Sequence, residues 1–533
     1  MGIFIDVKTT IECVSVALVF AAFLTFISLK PVGMMQSCGY SGKKLFGWLR
    51  HKNNLAQSRL NLLAFASLLA CAVISLCFYF TGEWSSIIGL VAYVLFFILY
   101  LYSDAKIALK SPATPTPRFK RLCVVLYLLC AVLVYIAVTL LNFADYIWGQ
   151  SLFTSLKYSA LALFFAAVYP LVSLANLITL IYEVPKNKGY IKRAKEKLAS
   201  SNVKIVAITG SYGKTSVKTL LAELLKNKYR VLATPRSYNT PLGIARTVND
   251  SNLSDYDIFI AEMGARHLGD IAELCAICPP EYSAITGICP QHLESFKTVE
   301  NIVKAKGEII SATAKKCFIP AEFCDYFKHM SGAIVKSDCV SGVIADGTGT
   351  SFTLTLGGKS CMVKTSLLGA HSAYNIGLCA NIAYELGLSL EEIASAIPSL
   401  GFVEHRLQLI ESNGVHILDD GYNSNVVGAR AALDVLRTLS GKKIVVTPGL
   451  VELGVLEEKE NGELGAQLVG FDYVILVGET LVTAVMNGYT ENGGDRDKIT
   501  IVPTLAAAQD KLKGLIEKGD SVLFLNDLPD IYL

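Results

Sequence analysis

Six consecutive residues, Gly210-Ser211-Tyr212-Gly213-Lys214-Thr215, carry the clearest chemistry in the chain. The glycines let a tight turn expose backbone N–H groups, the lysine adds a point charge, and the threonine hydroxyl is a ligand for Mg²⁺. Two residues separate the glycines, against four in the standard phosphate loop. The cluster reads as a short cradle for nucleotide phosphates, set against the plainer reading of a tight turn with an incidental lysine.

Four further groups have the right chemistry to join it. Glu262 ends the apolar run Ile258-Phe-Ile-Ala-Glu262, and a carboxylate at the end of a strand lies where open α/β sheets bind ligands. It reads either as a Mg²⁺ ligand or as a surface cap of its loop. His292, just past another strand, reads as a metal ligand, a phosphate contact or a structural histidine. Lys306 lies on a predicted helix and by itself reads as a surface lysine. Arg406 precedes a strand that ends in Asp419-Asp420-Gly421-Tyr422. An arginine can neutralise charge on a transferring phosphoryl group, and the acidic pair can take ribose hydroxyls or form an ordinary turn.

The elements that must hold these groups follow from pattern. A β-branched run over 205–209 predicts a buried strand, and 216–225 predicts a helix. Beyond residue 201, strand-like and helical segments alternate, which predicts parallel α/β sheets. A second alternating block begins near residue 401, and 312–368 is richer in short strands and glycine turns. The expected division is a transmembrane helical domain over 1–182, a basic juxtamembrane linker over 183–201, a central ATP-binding domain over 202–400 and a C-terminal domain over 401–533.

Hydrophobic residues make up 52% of the 533 and charged ones 17%, and the apolar excess gathers in the first third. Five apolar runs, 14–29, 60–80, 86–101, 122–141 and 158–181, are near the length needed to cross a bilayer. The basic residues lie in loops 30–59 and 102–121 and in the segment after the fifth run. The positive-inside rule then puts the N-terminus outside and everything after residue 183 in the cytoplasm, a multi-pass arrangement in the plasma membrane. The net charge of +3 points to no nucleic-acid partner. The 14 cysteines are scattered, and Cys275 and Cys278 read as buried thiols on a helix because no second pair follows at zinc spacing.

In this order the pieces resemble the Mur ligase family of ATP-dependent amide ligases, and within it the branch that adds D-alanyl-D-alanine to a peptidoglycan precursor. The matching stretches are Thr209-Gly-Ser-Tyr-Gly-Lys-Thr215, Thr234-Pro-Arg-Ser-Tyr-Asn-Thr-Pro-Leu-Gly243, Glu262-Met-Gly-Ala265, His292-Leu-Glu294, Lys304-Ala-Lys-Gly-Glu308, Gly369-Ala-His-Ser-Ala-Tyr-Asn375, His405-Arg406, Asp419-Asp-Gly-Tyr-Asn423 and Thr447-Pro-Gly-Leu-Val-Glu-Leu-Gly454. The short phosphate loop is itself a feature of that family.

The resemblance implies a Mur-ligase-like central α/β ATPase domain and a C-terminal Rossmann-like α/β domain, here preceded by the five predicted membrane helices. It implies that Gly210 to Thr215 hold ATP phosphates. Thr215, Glu262, His292 and a carbamylated Lys306 would serve two Mg²⁺ ions. Asn375 would contact adenine, Arg406 the γ-phosphate, and Asp420 the ribose or a nearby phosphate. His371 matches its motif without a role. The implied reaction activates a carboxylate-terminated cell-wall peptide precursor as an acyl phosphate and joins it to an amino acid or dipeptide amine.

Members of that branch begin with a small domain that holds the UDP of the acceptor. Here apolar runs take that place, so a nucleotide-linked and a lipid-linked acceptor both stay open. The alternatives are a polyglutamate- or capsule-type ligase on a membrane-linked acceptor and an ATP-driven transport component. Transport predicts polar groups within the spans, and the runs hold few.

Overall fold

The structure, a computed structural model, describes residues 7–50, 113–148 and 167–526 apart from positions 423, 479 and 480, with isolated positions between 66 and 98 and at 161 and 164. Contacts divide the chain into one compact unit running up to Lys186 and another formed by Asn187–Leu528.

Helices make up the first unit. Three of them, Val7–Ile27, Pro117–Ala144 and Val168–Ala199, are long and apolar enough to cross a membrane. They correspond to the first, fourth and fifth apolar runs, while the second and third runs fall almost wholly outside the described residues. Among the described residues there are thus three candidate spans, and the other two expected ones lie outside the described residues. Along the helix Pro117–Trp148, Leu122, Leu126, Cys130, Val134 and Val138 are buried. Val124, Leu128, Val132, Ile136 and Leu140 form an exposed stripe on another face. A helix apolar on both its packed and its outward faces suits lipid better than water. Near its start, Arg121 Nε donates to Glu183 Oε1 at 2.7 Å.

The basic juxtamembrane segment, helical as its pattern suggests, is the end of the helix Val168–Ala199. Its last turns belong to the second unit, where Ala194 and Leu198 are buried in the core. Lys197 also donates to the carbonyl of Ser251 at 2.5 Å.

The second unit is built on three sheets. The first is six-stranded and parallel, in the order β2-β3-β1-β4-β5-β6. Its strands are β1 (Lys204–Thr209), β2 (Val231–Ala233), β3 (Ile258–Glu262), β4 (Tyr282–Ile285), β5 (Lys316–Pro320) and β6 (Ile334–Ser337). Ile205 to Thr209 are all buried, because helices cover both faces of the sheet. Each fully buried Val or Ile of such a strand stabilises the fold by roughly 1.5–3 kcal/mol. β1 lies between β3 and β4, so the chain leaves it in both directions, and this is the point where such sheets open a crevice at the strands' carboxyl ends.

A small antiparallel sheet, β7 (Val340–Asp346), β8 (Gly349–Leu356) and β9 (Lys359–Thr365), accounts for the glycine-turn region. The third sheet has the order β10-β11-β15-β12-β13-β14. It contains β10 (Gln408–Ser412), β11 (Val415–Asp420), β12 (Lys443–Thr447), β13 (Tyr473–Val477), β14 (Ile499–Val502) and β15 (Ser521–Leu525). β10 alone runs antiparallel to its neighbour, and the sheet again has a core on each face. Every described cysteine is free. Cys275 and Cys278 are buried, and burial pushes the Cys275 thiol up to about 12.

Candidate active site

The glycine turn forms as its residue types require. Gly210 has φ +150° and Gly213 φ +75°, and a Cβ on Gly210 would stand 2.1 Å from Thr286 Oγ1. The loop rests on the residues after β4: Ser211 N donates to the Gly287 carbonyl at 2.8 Å, and the Thr286 hydroxyl donates to the Tyr212 carbonyl. The helix Lys214–Leu225 starts from Gly213 without a side-chain cap. Its first N–H groups and its dipole therefore face the crevice, as an anion site needs.

Lys214 Nζ bends back over the loop to the carbonyls of Gly210 and Ser211, at 2.7 and 3.1 Å. Burial lowers the pKa of its amine, and Glu262 opposes that shift. Gly-x-x-Gly-Lys-Thr thus makes a cradle in which a phosphate would replace the loop's own carbonyls as the partner of the lysine.

Glu262 lies at the end of β3 and is 1% exposed, which removes the reading of a surface cap. Three side chains hold it. Oε2 accepts from Thr215 Oγ1 at 3.0 Å and from Lys218 Nζ at 3.1 Å, and Oε1 accepts from Asn239 Nδ2 at 3.0 Å. Lys218 also donates to the Arg236 carbonyl.

Lys306 lies on the helix Val299–Ala312, capped by the Thr298 side chain. It is 3% exposed, so it is not a surface lysine, and its Nζ lies 5.9 Å from the centre of the Phe296 ring. Burial holds its amine well below the usual lysine range, and the nearby Lys214 adds to this.

His292 stands in left-handed backbone, φ +52°, and its Nδ1 pairs with Glu452 from the other α/β domain. Burial lowers the imidazole below the usual histidine value, and the Glu452 carboxylate opposes that shift. Burial pushes the Glu452 carboxyl up, but the bond from His292 and the charge of Arg266 more than reverse this and hold it at about 2.

From the C-terminal side come Arg406 and Asp420. Arg406 Nη1 donates to the Tyr422 carbonyl at 2.6 Å, and its guanidinium lies 4.9 Å from the centre of the Tyr422 ring. Asp420 Oδ1 accepts from Leu407 N at 3.1 Å, and burial lifts its carboxyl to about 7 against the opposing charge of Arg406. Asn375 stands on the helix Ala370–Glu385, its Oδ1 placed 3.2 Å from where a Cβ on Gly213 would be. His371 lies one turn earlier, with Nδ1 unpartnered and its pKa lowered by burial to about 4.

One cavity of about 1000 Å³ is lined by Ser211 to Thr215, Glu262, His292, Lys306, His371, Asn375, Arg406 and Asp420. The structure brings all of these sequence-derived candidates to one wall system, with both α/β domains contributing. It does not gather the metal candidates into a ready-made cluster: no group of three His, Cys, Asp or Glu able to hold a metal occurs among the described residues. That donor set fits Mg²⁺ better than a softer ion, since Mg²⁺ takes one or two protein oxygens and completes its shell with phosphate and water. Thr215 and Glu262 provide those oxygens side by side.

Reasoning from sequence missed Lys218, Asn239, Arg266 and Glu452. Lys218 carried a signal, because it follows Lys214 by four residues and so shares its helix face. Asn239 and Glu452 lay within matched motifs, but their pairing across loops has no local signature.

Comparison with known proteins bears on this arrangement. A family described as Mur ligase middle domain matches residues 208–383, and one described as Mur ligase, glutamate ligase domain matches residues 405–526. The chain is similar to the UDP-N-acetylmuramoyl-tripeptide--D-alanyl-D-alanine ligase of Escherichia coli (strain K12), 29% identical over 336 residues, covering 59% of this chain and 74% of the relative. The ligase of the same description from Buchnera aphidicola subsp. Baizongia pistaciae (strain Bp) is 30% identical over 268 residues, covering 48% of this chain and 58% of the relative. Among solved structures, the MurF ligase from Thermotoga maritima in complex with ADP superposes with a TM-score of 0.58 at 26% identity, covering 65% of this chain and 81% of that one.

Proposed function

We propose, since the chain belongs to the Mur ligase family and is an ATP-dependent ligase that forms amide bonds, that it joins D-alanyl-D-alanine to a carboxylate-terminated cell-wall peptide precursor while anchored in the plasma membrane. The observation that carries this is the single cavity in which the phosphate loop of one domain faces Arg406 and Asp420 of the other.

In this reading the chain's own residues divide the work. Gly210 to Thr215 bind the ATP phosphates through backbone N–H groups, and Asn375 and Asp420 orient adenine and ribose. Lys214 and Arg406 offset charge on the γ-phosphoryl group as the acceptor carboxylate attacks it, the bond to the β-phosphate breaks, ADP leaves and an acyl phosphate forms. The neutral dipeptide amine then attacks the acyl carbon, the acyl–phosphate bond breaks, phosphate and one proton leave, and the amide remains. Thr215 and Glu262 would hold one Mg²⁺, and His292 with a carbamylated Lys306 a second. Bound magnesium compensates charge on phosphoryl oxygens. A carbamate forms on a free amine, and burial lowers the Lys306 amine well below the usual lysine range, which supports the carbamate. Docking of the C-terminal domain brings Arg406 and excludes water from the acyl phosphate.

The acceptor reaches this site in one of two forms. The descriptions of the relatives favour a UDP-linked peptide. The three apolar helices, placed where the family matches do not extend, favour a lipid-linked one, with the catalytic domains at the cytoplasmic face. The test is ATP turnover by the full chain in membranes with D-alanyl-D-alanine and either acceptor, following ADP and product mass. An amide product with one acceptor identifies its form. ADP release that needs no amine overturns the ligase reaction as written.

A further inference from the structure

Glu452 sits in the loop after β12 of the C-terminal domain, and its contacts lie in the central domain. One carboxylate oxygen accepts from Arg266 Nη1 at 3.1 Å, on the loop after β3. The other meets His292 Nδ1, on the loop after β4. Its main-chain carbonyl accepts from Leu293 N at 3.0 Å. Because β3 and β4 flank β1, this one residue ties together the two loops that border the phosphate loop. It is 8% exposed.

Both partners in the central contact are held in costly backbone. Glu452 has φ +62° and His292 φ +52°, a region that costs a non-glycine residue of order 1–3 kcal/mol. Such strain persists where surrounding contacts over-determine it, and here each residue is over-determined by the other's loop. The ring of His292 also has only two nitrogens. Because Nδ1 lies against the Glu452 carboxylate, Nε2 is the one left for the cavity that His292 lines with Glu262 and Lys306. In metal sites a carboxylate that takes one imidazole N–H fixes the tautomer and aims the other nitrogen's lone pair at the cation.

We infer that Glu452 is a positioning residue for His292, supplied by the C-terminal domain, so that the cation site of the central domain is complete only when that domain is docked. The inference rests on the reading of His292 as a metal ligand. It gives the Glu of Thr447-Pro-Gly-Leu-Val-Glu-Leu-Gly454 a task and makes domain docking and metal binding one event.

The test uses Mn²⁺ as the probe, titrated into the full chain with ADP present and followed by the spin resonance of the free ion. The wild type, Glu452→Gln and His292→Ala are compared. Glu452→Gln is expected to weaken Mn²⁺ about tenfold or more, with His292→Ala at least as severe. ADP affinity measured in chelator, without metal, is expected to be unchanged. If Glu452→Gln binds Mn²⁺ like the wild type while His292→Ala does not, the inference is overturned and the reading of His292 stands. If His292→Ala also binds normally, that reading falls and takes the inference with it. A parallel loss of metal-free ADP affinity in Glu452→Gln marks general loosening and overturns the inference as well. Should Glu452→Gln fail to fold, Glu452→Asp is read on the same scale, because its shorter carboxylate keeps the charge but withdraws from Nδ1.

Discussion

Lys218 and Glu262 form an ion pair at 3.1 Å, with side chains 4% and 1% exposed, directly beneath the phosphate loop. Two buried charges in such a place depend on each other, and removing one leaves the other uncompensated. Lys218→Met is therefore expected to destabilise the protein by about 3–5 kcal/mol in the absence of metal. Added Mg²⁺ and ADP should recover more stability in this variant than in the wild type, because a cation at Glu262 replaces the missing ammonium. Thermal melting with and without Mg²⁺ and ADP checks both statements, and equal gains in the two proteins would count against a cation at Glu262.

Gly210 has no room for a side chain, since a Cβ would meet Thr286 Oγ1 at 2.1 Å in a backbone conformation, φ +150°, that only glycine adopts freely. Gly210→Ala is expected to shift the loop and to weaken ATP by about tenfold to a hundredfold, at roughly 1.4 kcal/mol per factor of ten. The loss should appear in KM for ATP and in direct nucleotide binding, with the far-ultraviolet circular dichroism unchanged.

Lys306 is buried and held well below the usual lysine range by burial. Lys306→Ala is expected to lower kcat by about a hundredfold or more. A small carboxylic acid should restore part of the activity by standing in for the carbamate. Wild-type activity should also fall when carbon dioxide and bicarbonate are removed, and the variant should not respond. Full activity in Lys306→Ala excludes a metal-bridging role.

Asp420 titrates near neutrality because burial lifts its carboxyl from 3.8 to about 7. A carboxyl raised by folding contributes stability that is fully present below its unfolded value and is lost as pH rises through its folded value. Between pH 4 and 7 the wild type should therefore lose stability relative to Asp420→Asn. At pH 8 the variant should be the more stable by on the order of 4 kcal/mol, and near pH 3 the two should converge. Denaturant unfolding across that range measures the difference. The same variant should bind ATP more weakly if Asp420 takes the ribose.

Much of the site was legible in sequence where one residue type has one use. Two glycines before Lys-Thr, after a β-branched strand and ahead of a helix, leave little else to build. Lys306, which by itself read as a surface lysine, carried an unused signal: Ile302, Lys306 and Ile309–Ile310 fall on one helical face, so a lysine there is buried by its neighbours. Lys218 carried only its spacing from Lys214, and a lysine on the first turns of a helix is usually solvated. Glu452 needed the fold, since its partners Arg266 and His292 lie in another domain and about 160 to 190 positions away. The segment 183–201 misled because its lysines suggest solvated chain, whereas Tyr190, Ile191, Ala194 and Leu198 at helical spacing are what the core receives.

The buried end of the helix Val168–Ala199 also decides how the catalytic portion can be handled. Trimming the chain at residue 201, where the first strand pattern begins, strips Ala194 and Leu198 from an apolar layer and leaves a sticky face on the fragment. A cut beside Asn187 keeps those side chains and the Lys197 tether to Ser251 while discarding the greasy helices. That is the fragment to make for crystals in plain buffer.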